Sequence, residues 1–126
     1  MTELVVCAAN DKGIKHAQLL AMRQEFSRVI VVLPAGDDAA VSAAISSVIG
    51  TSQCVMIKAD LAAPLTLLTA ELARRISTNE LEVALSLYSG PGKLHMAVLG
   101  ALLSSGIGVR LVAATPGGME ELIRRR

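Results

Sequence analysis

The chain has 126 residues, of which 52% are apolar, and its formal net charge is +1 at neutral pH. This length predicts one domain, residues 1–126, with a single core. General DNA or RNA binders carry a clear excess of positive charge, which this chain does not have. We therefore expect no direct binding to a nucleic-acid duplex. Phe26 and Tyr88 are the only aromatic residues, which excludes a surface for stacking single-stranded bases.

Hydropathy and cysteine usage predict a cytoplasmic protein that does not enter the membrane. No apolar run approaches the roughly 18 residues of a membrane span, and Glu3 stands where a signal peptide has basic residues. Cys7 and Cys54 lie in apolar runs with no Cys-x-x-Cys or Cys/His cluster nearby. We interpret them as buried thiols and expect neither a metal site nor a cofactor.

Five apolar runs alternate with helix-like segments along the chain. The strands are predicted at 4–9, 29–33, 54–58, 81–87 and 109–113. The helices are predicted at about 14–26, 39–49, 61–76, 94–104 and 119–126. Asp60 is expected to cap the third helix, with Pro64 in its first turn. Continuously apolar strands are typical of parallel sheets covered on both faces, so the pattern predicts an α/β fold with a Rossmann-like, doubly wound, five-stranded parallel sheet.

Two polar loops are predicted to meet at one edge of this sheet. Right-handed crossovers favour the strand order 3-2-1-4-5, in which the chain changes direction between the first and fourth strands. Ligands of such sheets bind there, beyond the carboxyl ends of the strands. Asn10-Asp11-Lys12-Gly13 follows the first strand, and Ser89-Gly90-Pro91-Gly92-Lys93 follows the fourth. We therefore expect the two loops to lie on either side of one crevice.

The turn after the fourth strand carries the strongest functional signal. A Ser/Gly turn that opens a helix directs backbone N–H groups at an anion such as phosphate, and Lys93 adds a positive charge. The alternative is a tight strand-to-helix connection with glycine where φ is positive. A dinucleotide fingerprint is absent because His95 takes the place of its third glycine. A P-loop is absent because Leu94 follows Gly92-Lys93 where serine or threonine is required.

Three polar side chains near the crevice are further candidates. His16 and His95 lie close to the starts of their helices and could act as acid–base groups or phosphate donors. Their alternative is a histidine on a helix surface. Asp11 could orient a ribose hydroxyl, or it could serve only the turn.

The helix predicted at 94–104 is apolar on nearly every side, which is typical of a helix buried on more than one face. In so small a protein this predicts a subunit interface and a homodimer. The residues small enough to admit a second helix are Ala97, Gly100, Ala101 and Ser104.

The whole layout resembles the CRISPR-associated Rossmann fold (CARF) domain family. The resemblance rests on the five-strand pattern, the polar loop after the first strand, and a glycine-rich loop with a basic residue entering the next helix. Family members often read T-G-G-T-K where this chain has Ser89-Gly90-Pro91-Gly92-Lys93. The resemblance covers nearly all of the chain. Within the motif, Pro91 departs from the commoner glycine and threonine forms.

Membership in this family would imply a sensor in antiviral defence: a homodimer that binds a cyclic oligoadenylate across its two-fold axis. The ligand-binding residues would be Asn10, Asp11, Lys12, Gly13, Ser89, Gly90, Gly92, Lys93 and His95. Many members carry a C-terminal effector domain in addition to the sensor. The 126 residues here are expected to form the sensor alone, either as a stand-alone protein or as a fragment of a longer one.

Two other functions remain open at this point. The first is a metal-independent ring nuclease, in which the ligand's own 2′-OH attacks and Lys93 stabilises charge on the phosphate. The second is a Rossmann-like structural or regulatory protein with an unrelated ligand, such as another phosphorylated small molecule.

Overall fold

The computed structural model describes residues 3–8, 11–23, 26–35, 54–76, 78, 80–87 and 90–122, and within them it forms a six-stranded α/β sheet. The elements are β1 Glu3–Cys7, α1 Asp11–Arg23, β2 Arg28–Pro34, β3 Cys54–Ala59, α2 Leu65–Arg75, β4 Glu82–Ser86, α3 Gly92–Ser104, β5 Gly108–Thr115 and β6 Gly118–Glu121. The helix predicted at 39–49 lies outside the described residues.

The strand order is β3-β2-β1-β4-β5-β6, and the first five strands in this order pair in parallel. The predicted order 3-2-1-4-5 is therefore confirmed. Four consecutive residues of β1, from Leu4 to Cys7, are buried. This is the burial expected of a central parallel strand with helices on both faces, and it explains why the strand is continuously apolar.

The sixth strand corrects the prediction of a helix at 119–126. Gly118–Glu121 pairs antiparallel with β5 through the two-residue loop Pro116-Gly117. Gly118 has a φ of +132°, which glycine adopts without the steric penalty of a side chain. Met119 then packs against the core from the edge of the sheet. Tertiary pairing with an exposed strand edge thus overrides the helix-like spacing of this segment, and residues 123–126 lie outside the described residues.

Two apolar layers cover the faces of the sheet. On one face, α2 and α3 pack over alternate strand residues such as Val5, Cys7 and Leu85. On the other face, α1 packs over Leu4 and Val6 and their neighbours. The change of face follows from right-handed crossovers, since β1-to-β2 and β3-to-β4 connections run in opposite directions across the sheet.

Two helix starts differ from their predicted positions. Helix α1 begins at Asp11, so the segment predicted as a turn at 11–13 is the first turn of a helix. Helix α2 begins at Leu65, after Pro64, whose ring disfavours helical conformation in the residue before it. Asp60 does not cap α2; its carboxylate accepts a hydrogen bond from the Ala62 N–H within the preceding turn.

Helices α1 and α3 have 13 residues each, or roughly 20 Å of length. Among the described residues, no helix has both the length and the apolar character needed to cross a bilayer.

Candidate functional site

The point where the chain changes direction lies between β1 and β4. The two strands are paired in parallel, with Val6 opposite Ser86 near their carboxyl ends. Helix α1 follows β1 on one face of the sheet, and α3 follows β4 on the other. Two helix N-termini therefore start at the same edge of two neighbouring strands. The N-terminus of an α-helix generally presents N–H groups that lack an intrahelical acceptor, together with the positive end of the helix dipole, and both favour an anion.

The N-terminus of α3 has no side-chain cap. Its N-cap residue is Pro91, and the Pro91 carbonyl accepts hydrogen bonds from the backbone N–H groups of Leu94 and His95. The described residues supply no partner for the N–H groups of Gly92 and Lys93. No acidic residue occupies the first turn of the helix. This turn can therefore offer two backbone donors to a bound anion.

Only one of the two loop glycines has a conformational reason to be glycine. Gly90 has a φ of +106°, a region that L-amino acids with side chains rarely adopt. Gly92 has no positive φ, and a Cβ atom added to it would meet no atom within 4 Å. Folding therefore does not require glycine at 92, whereas close approach of a ligand to the backbone would.

The Lys93 side chain is turned towards α2. Its Nζ donates a hydrogen bond of 2.7 Å to the backbone carbonyl of Leu61, in the loop between β3 and α2. An ammonium has three donor hydrogens, so this contact leaves two for other acceptors. The lysine thus joins two loops at the carboxyl edge of the sheet, a structural role that its position in the sequence does not reveal.

Because of this hydrogen bond, Lys93→Met is expected to lower the free energy of unfolding by about 1 kcal/mol, the usual net value of one hydrogen bond. Methionine keeps much of the apolar stem and removes only the charged donor. Urea denaturation at pH 7 measures the effect, with the exposed Lys15→Met as the matched control. Equal midpoints for Lys93→Met and the wild type would show that the Leu61 contact does not persist in solution.

The other residues predicted to bind a ligand fall into three groups. Asn10 and Ser89 lie outside the described residues. Asp11 and Lys12 form the first turn of α1, followed by Gly13, which is buried. His95 is half-buried in the first turn of α3. The backbone therefore brings the 11–13 and 90–95 segments to the same edge of the sheet.

His16 is neither on the surface nor open to the crevice. Its side chain is buried in the second turn of α1, and its Nε2 lies 3.0 Å from Oγ of the buried Ser86. Burial lowers the pKa of His16 below its ordinary value of 6.5. Sequence reasoning did not select Ser86, although a hydroxyl at the end of an otherwise apolar strand is the signal that could have found it.

An apolar cavity of about 320 Å³ adjoins the carboxyl end of β4. It is lined by Ser86, Leu87, Leu111, Val112, Ala113 and Leu122. Leu87, which lines this cavity, lies three residues before Gly90 in the loop that leads into α3. Its lining suits an uncharged, apolar or aromatic group of a ligand.

The small residues of α3 contact the same chain. Ala97 and Ala101 are buried in the core, and a Cβ atom at Gly100 would lie 3.2 Å from Thr69 Cγ2 of α2. The helix that Gly100 admits is therefore α2. Ser104 is exposed, and its hydroxyl donates to the Ala101 carbonyl. The outward side of α3 instead presents apolar side chains at Met96 and Leu103, which are 60% and 58% exposed.

No group of three or more His, Cys, Asp or Glu side chains suited to a metal ion occurs among the described residues. Comparison with known proteins finds no matching family model, no matching curated protein and no matching solved structure. The resemblance to the CARF family therefore stays a prediction, and the function has to be argued from the site itself.

Proposed function

We propose that the protein binds a phosphorylated ligand at the β1–β4 edge of its sheet. The observation that carries the proposal is the uncapped N-terminus of α3, which begins with Gly92 beside the N-terminus of α1. Backbone N–H groups and two helix dipoles converge there, and a glycine without a folding role allows the ligand to approach. Lys93 contributes its remaining donor hydrogens.

The ligand that we propose is a cyclic oligoadenylate, on the strength of the resemblance to the CARF family. Its phosphates would contact the N-terminal turn of α3. The apolar cavity beside Leu87 and Leu111 has the size and lining for one uncharged base. A linear oligoadenylate shares this chemistry, so linear tetraadenylate is titrated beside the cyclic forms to distinguish the two.

A homodimer is part of the same proposal. Met96 and Leu103 form an exposed apolar strip on α3. From residue 94 to residue 104 this helix has no charged residue. A second copy of the chain that covered this strip would place two ligand sites on one particle. Light scattering at tens of micromolar measures the association.

Cleavage of the bound ring is a separate question from binding, because the ligand's own 2′-OH would be the nucleophile and no protein nucleophile is needed. Lys93 has one donor engaged by the Leu61 carbonyl. Ring cleavage is therefore treated as an outcome of the binding experiment, measured by chromatography of the ligand after incubation.

The decisive variant is Gly92→Ala, because its added methyl group has open space in the free protein but would crowd a phosphate on the turn. Calorimetric titration with cyclic tetraadenylate and cyclic hexaadenylate is expected to show at least a tenfold loss of affinity, or about 1.4 kcal/mol. The free energy of unfolding should stay equal or rise by up to about 1 kcal/mol, since alanine favours a helix over glycine.

Gly117→Ala is the matched control. Gly117 is exposed, has no positive φ, and would place its Cβ atom 3.9 Å from Thr115 Oγ1, an ordinary contact. It should bind both rings as the wild type does. Wild-type affinity in Gly92→Ala would remove the site from this turn, and no binding of either ring by the wild type would remove the proposed ligand.

A further inference from the structure

One buried imidazole joins α1 to two strands of the sheet. His16 is 4% exposed, and Ser86 of β4 is fully buried. His16 Nε2 lies 3.0 Å from Ser86 Oγ and accepts from the backbone N–H of Ala114 in β5 at 3.5 Å. The residues that make this contact are 70 and 98 positions away from His16 in the sequence. The contact is therefore created only by the fold.

The position of Ala114 explains why the strand needs this acceptor. The pairing of β4 with β5 ends at Leu85 and Leu111, and β4 itself ends at Ser86. Ala114 lies three residues further along β5, beyond the end of that pairing. The imidazole nitrogen supplies an acceptor to this half-buried N–H where the neighbouring strand has stopped.

These partners determine the form of the imidazole. A backbone N–H can only donate, so Nε2 must present its lone pair to Ala114. In that tautomer the Ser86 hydroxyl shares the single lone pair of Nε2 with the Ala114 N–H, and the 3.0 Å contact with Ser86 is the shorter of the two. A protonated Nε2 would lose the bond to Ala114 and bury a positive charge.

We propose that His16 is a positioning residue of the site at the β1–β4 edge of the sheet: as a neutral imidazole, it holds the N-terminal half of α1 on the carboxyl ends of β4 and β5. The positioning role rests on the proposed function, because it concerns the ligand site. The docking of α1 on the strands can be measured without a ligand. Both roles fall to the one buried histidine that the binding surface itself does not use.

The pH dependence follows from the direction of the pKa shift. The pKa of His16 is lower in the folded protein than its ordinary value of 6.5, because burial disfavours the charged form. Its contribution to stability is therefore complete above about pH 6.5 and declines as the pH falls towards the lower folded value.

Charged groups on the elements around His16 determine the background against which this titration is seen. On the side of the sheet that His16 contacts, Arg110 of β5 forms an ion pair with Glu121 of β6. Three exposed charged residues lie on the neighbouring elements. They are Lys15 on α1, Glu82 at the start of β4 and Glu120 on β6. Because His16→Gln leaves every other charged group in place, the difference between this variant and the wild type isolates the contribution of His16 from that background.

Hydrogen exchange of α1, corrected for the intrinsic rate at each pH, tests the docking. In the wild type, protection of α1 is expected to fall at least tenfold between pH 7.5 and pH 5, relative to β4. His16→Gln retains an uncharged oxygen acceptor that does not titrate, so its protection should not depend on pH. Ser86→Ala loses only the hydroxyl and should show weaker protection at pH 7.5. Lys15→Gln is the control and should behave as the wild type does.

The binding arm uses cyclic tetraadenylate as the probe. The affinity of the wild type should fall with α1 protection between the two pH values, and His16→Gln should restore binding at pH 5. Unchanged protection of wild-type α1 across this range would overturn the docking role. Loss of protection with unchanged affinity would overturn the positioning role alone. If the wild type binds neither cyclic tetraadenylate nor cyclic hexaadenylate at pH 7.5, the proposed ligand and the positioning role are both overturned, while hydrogen exchange still decides the docking.

Discussion

Ala101→Glu is expected to lower the free energy of unfolding by at least about 3 kcal/mol, enough to unfold much of a marginally stable domain. Ala101 is 1% exposed and belongs to the core between α3 and the sheet, with Ala97 and Val98 on the same helix. A glutamate there has to bury its carboxyl group without a designed partner, and its extra volume has no space in the packed layer. Urea denaturation followed by circular dichroism measures the loss.

Leu103→Glu is the matched variant on the same helix, two residues further along. Leu103 is 58% exposed, so its replacement should change the free energy of unfolding by less than about 0.5 kcal/mol. If the proposed homodimer forms through the outer side of α3, this variant should also be monomeric in light scattering. A wild-type denaturation midpoint for Ala101→Glu would contradict the packing of α3 described above.

The two cysteines are expected to react with a thiol reagent at very different rates. Cys7 is fully buried in β1, and burial raises its pKa to about 12. At pH 8 only about one thiol in ten thousand would be ionised at that pKa. Reaction also requires opening of a central strand, so labelling of Cys7 should be at least about 1,000-fold slower than that of an exposed thiol.

Cys54 should react much faster than Cys7. It is half-buried at the start of β3, and β3 is the outermost strand on its side among the described residues. Partial burial raises its pKa too, so its rate should still be below that of a free thiol. Mass spectrometry of labelled peptides separates the two sites, and Cys54→Ser should abolish the fast phase. Rapid labelling of Cys7 in the native protein would contradict its place in the centre of the sheet.

The sheet and its strand order could be predicted from the sequence for a physical reason. Parallel strands buried on both faces have to be continuously apolar, and runs such as 4–9 and 29–33 show this without any knowledge of the fold. The handedness of crossovers then restricts the order in which such strands can pair. The meeting of the α1 and α3 segments at one edge follows from that order alone.

The hairpin at the end of the chain could not be predicted in the same way. Met119 and Leu122 have helical spacing, and short segments of this kind are compatible with either structure. Pairing along β5 and packing of Met119 on the core decide in favour of a strand, and both depend on residues that are distant until the sheet has formed. Local propensity is the weaker influence here.

The division between sequence and tertiary structure is clearest at the candidate site. The glycines and the lysine of the 89–93 segment indicated an anion-binding turn, because the conformational freedom of glycine and the charge of lysine are properties of single residues. Which partners the side chains take depends on distances between elements. Only the fold decides that Lys93 contacts Leu61, that Ala101 lies in the core and that His16 is buried against Ser86.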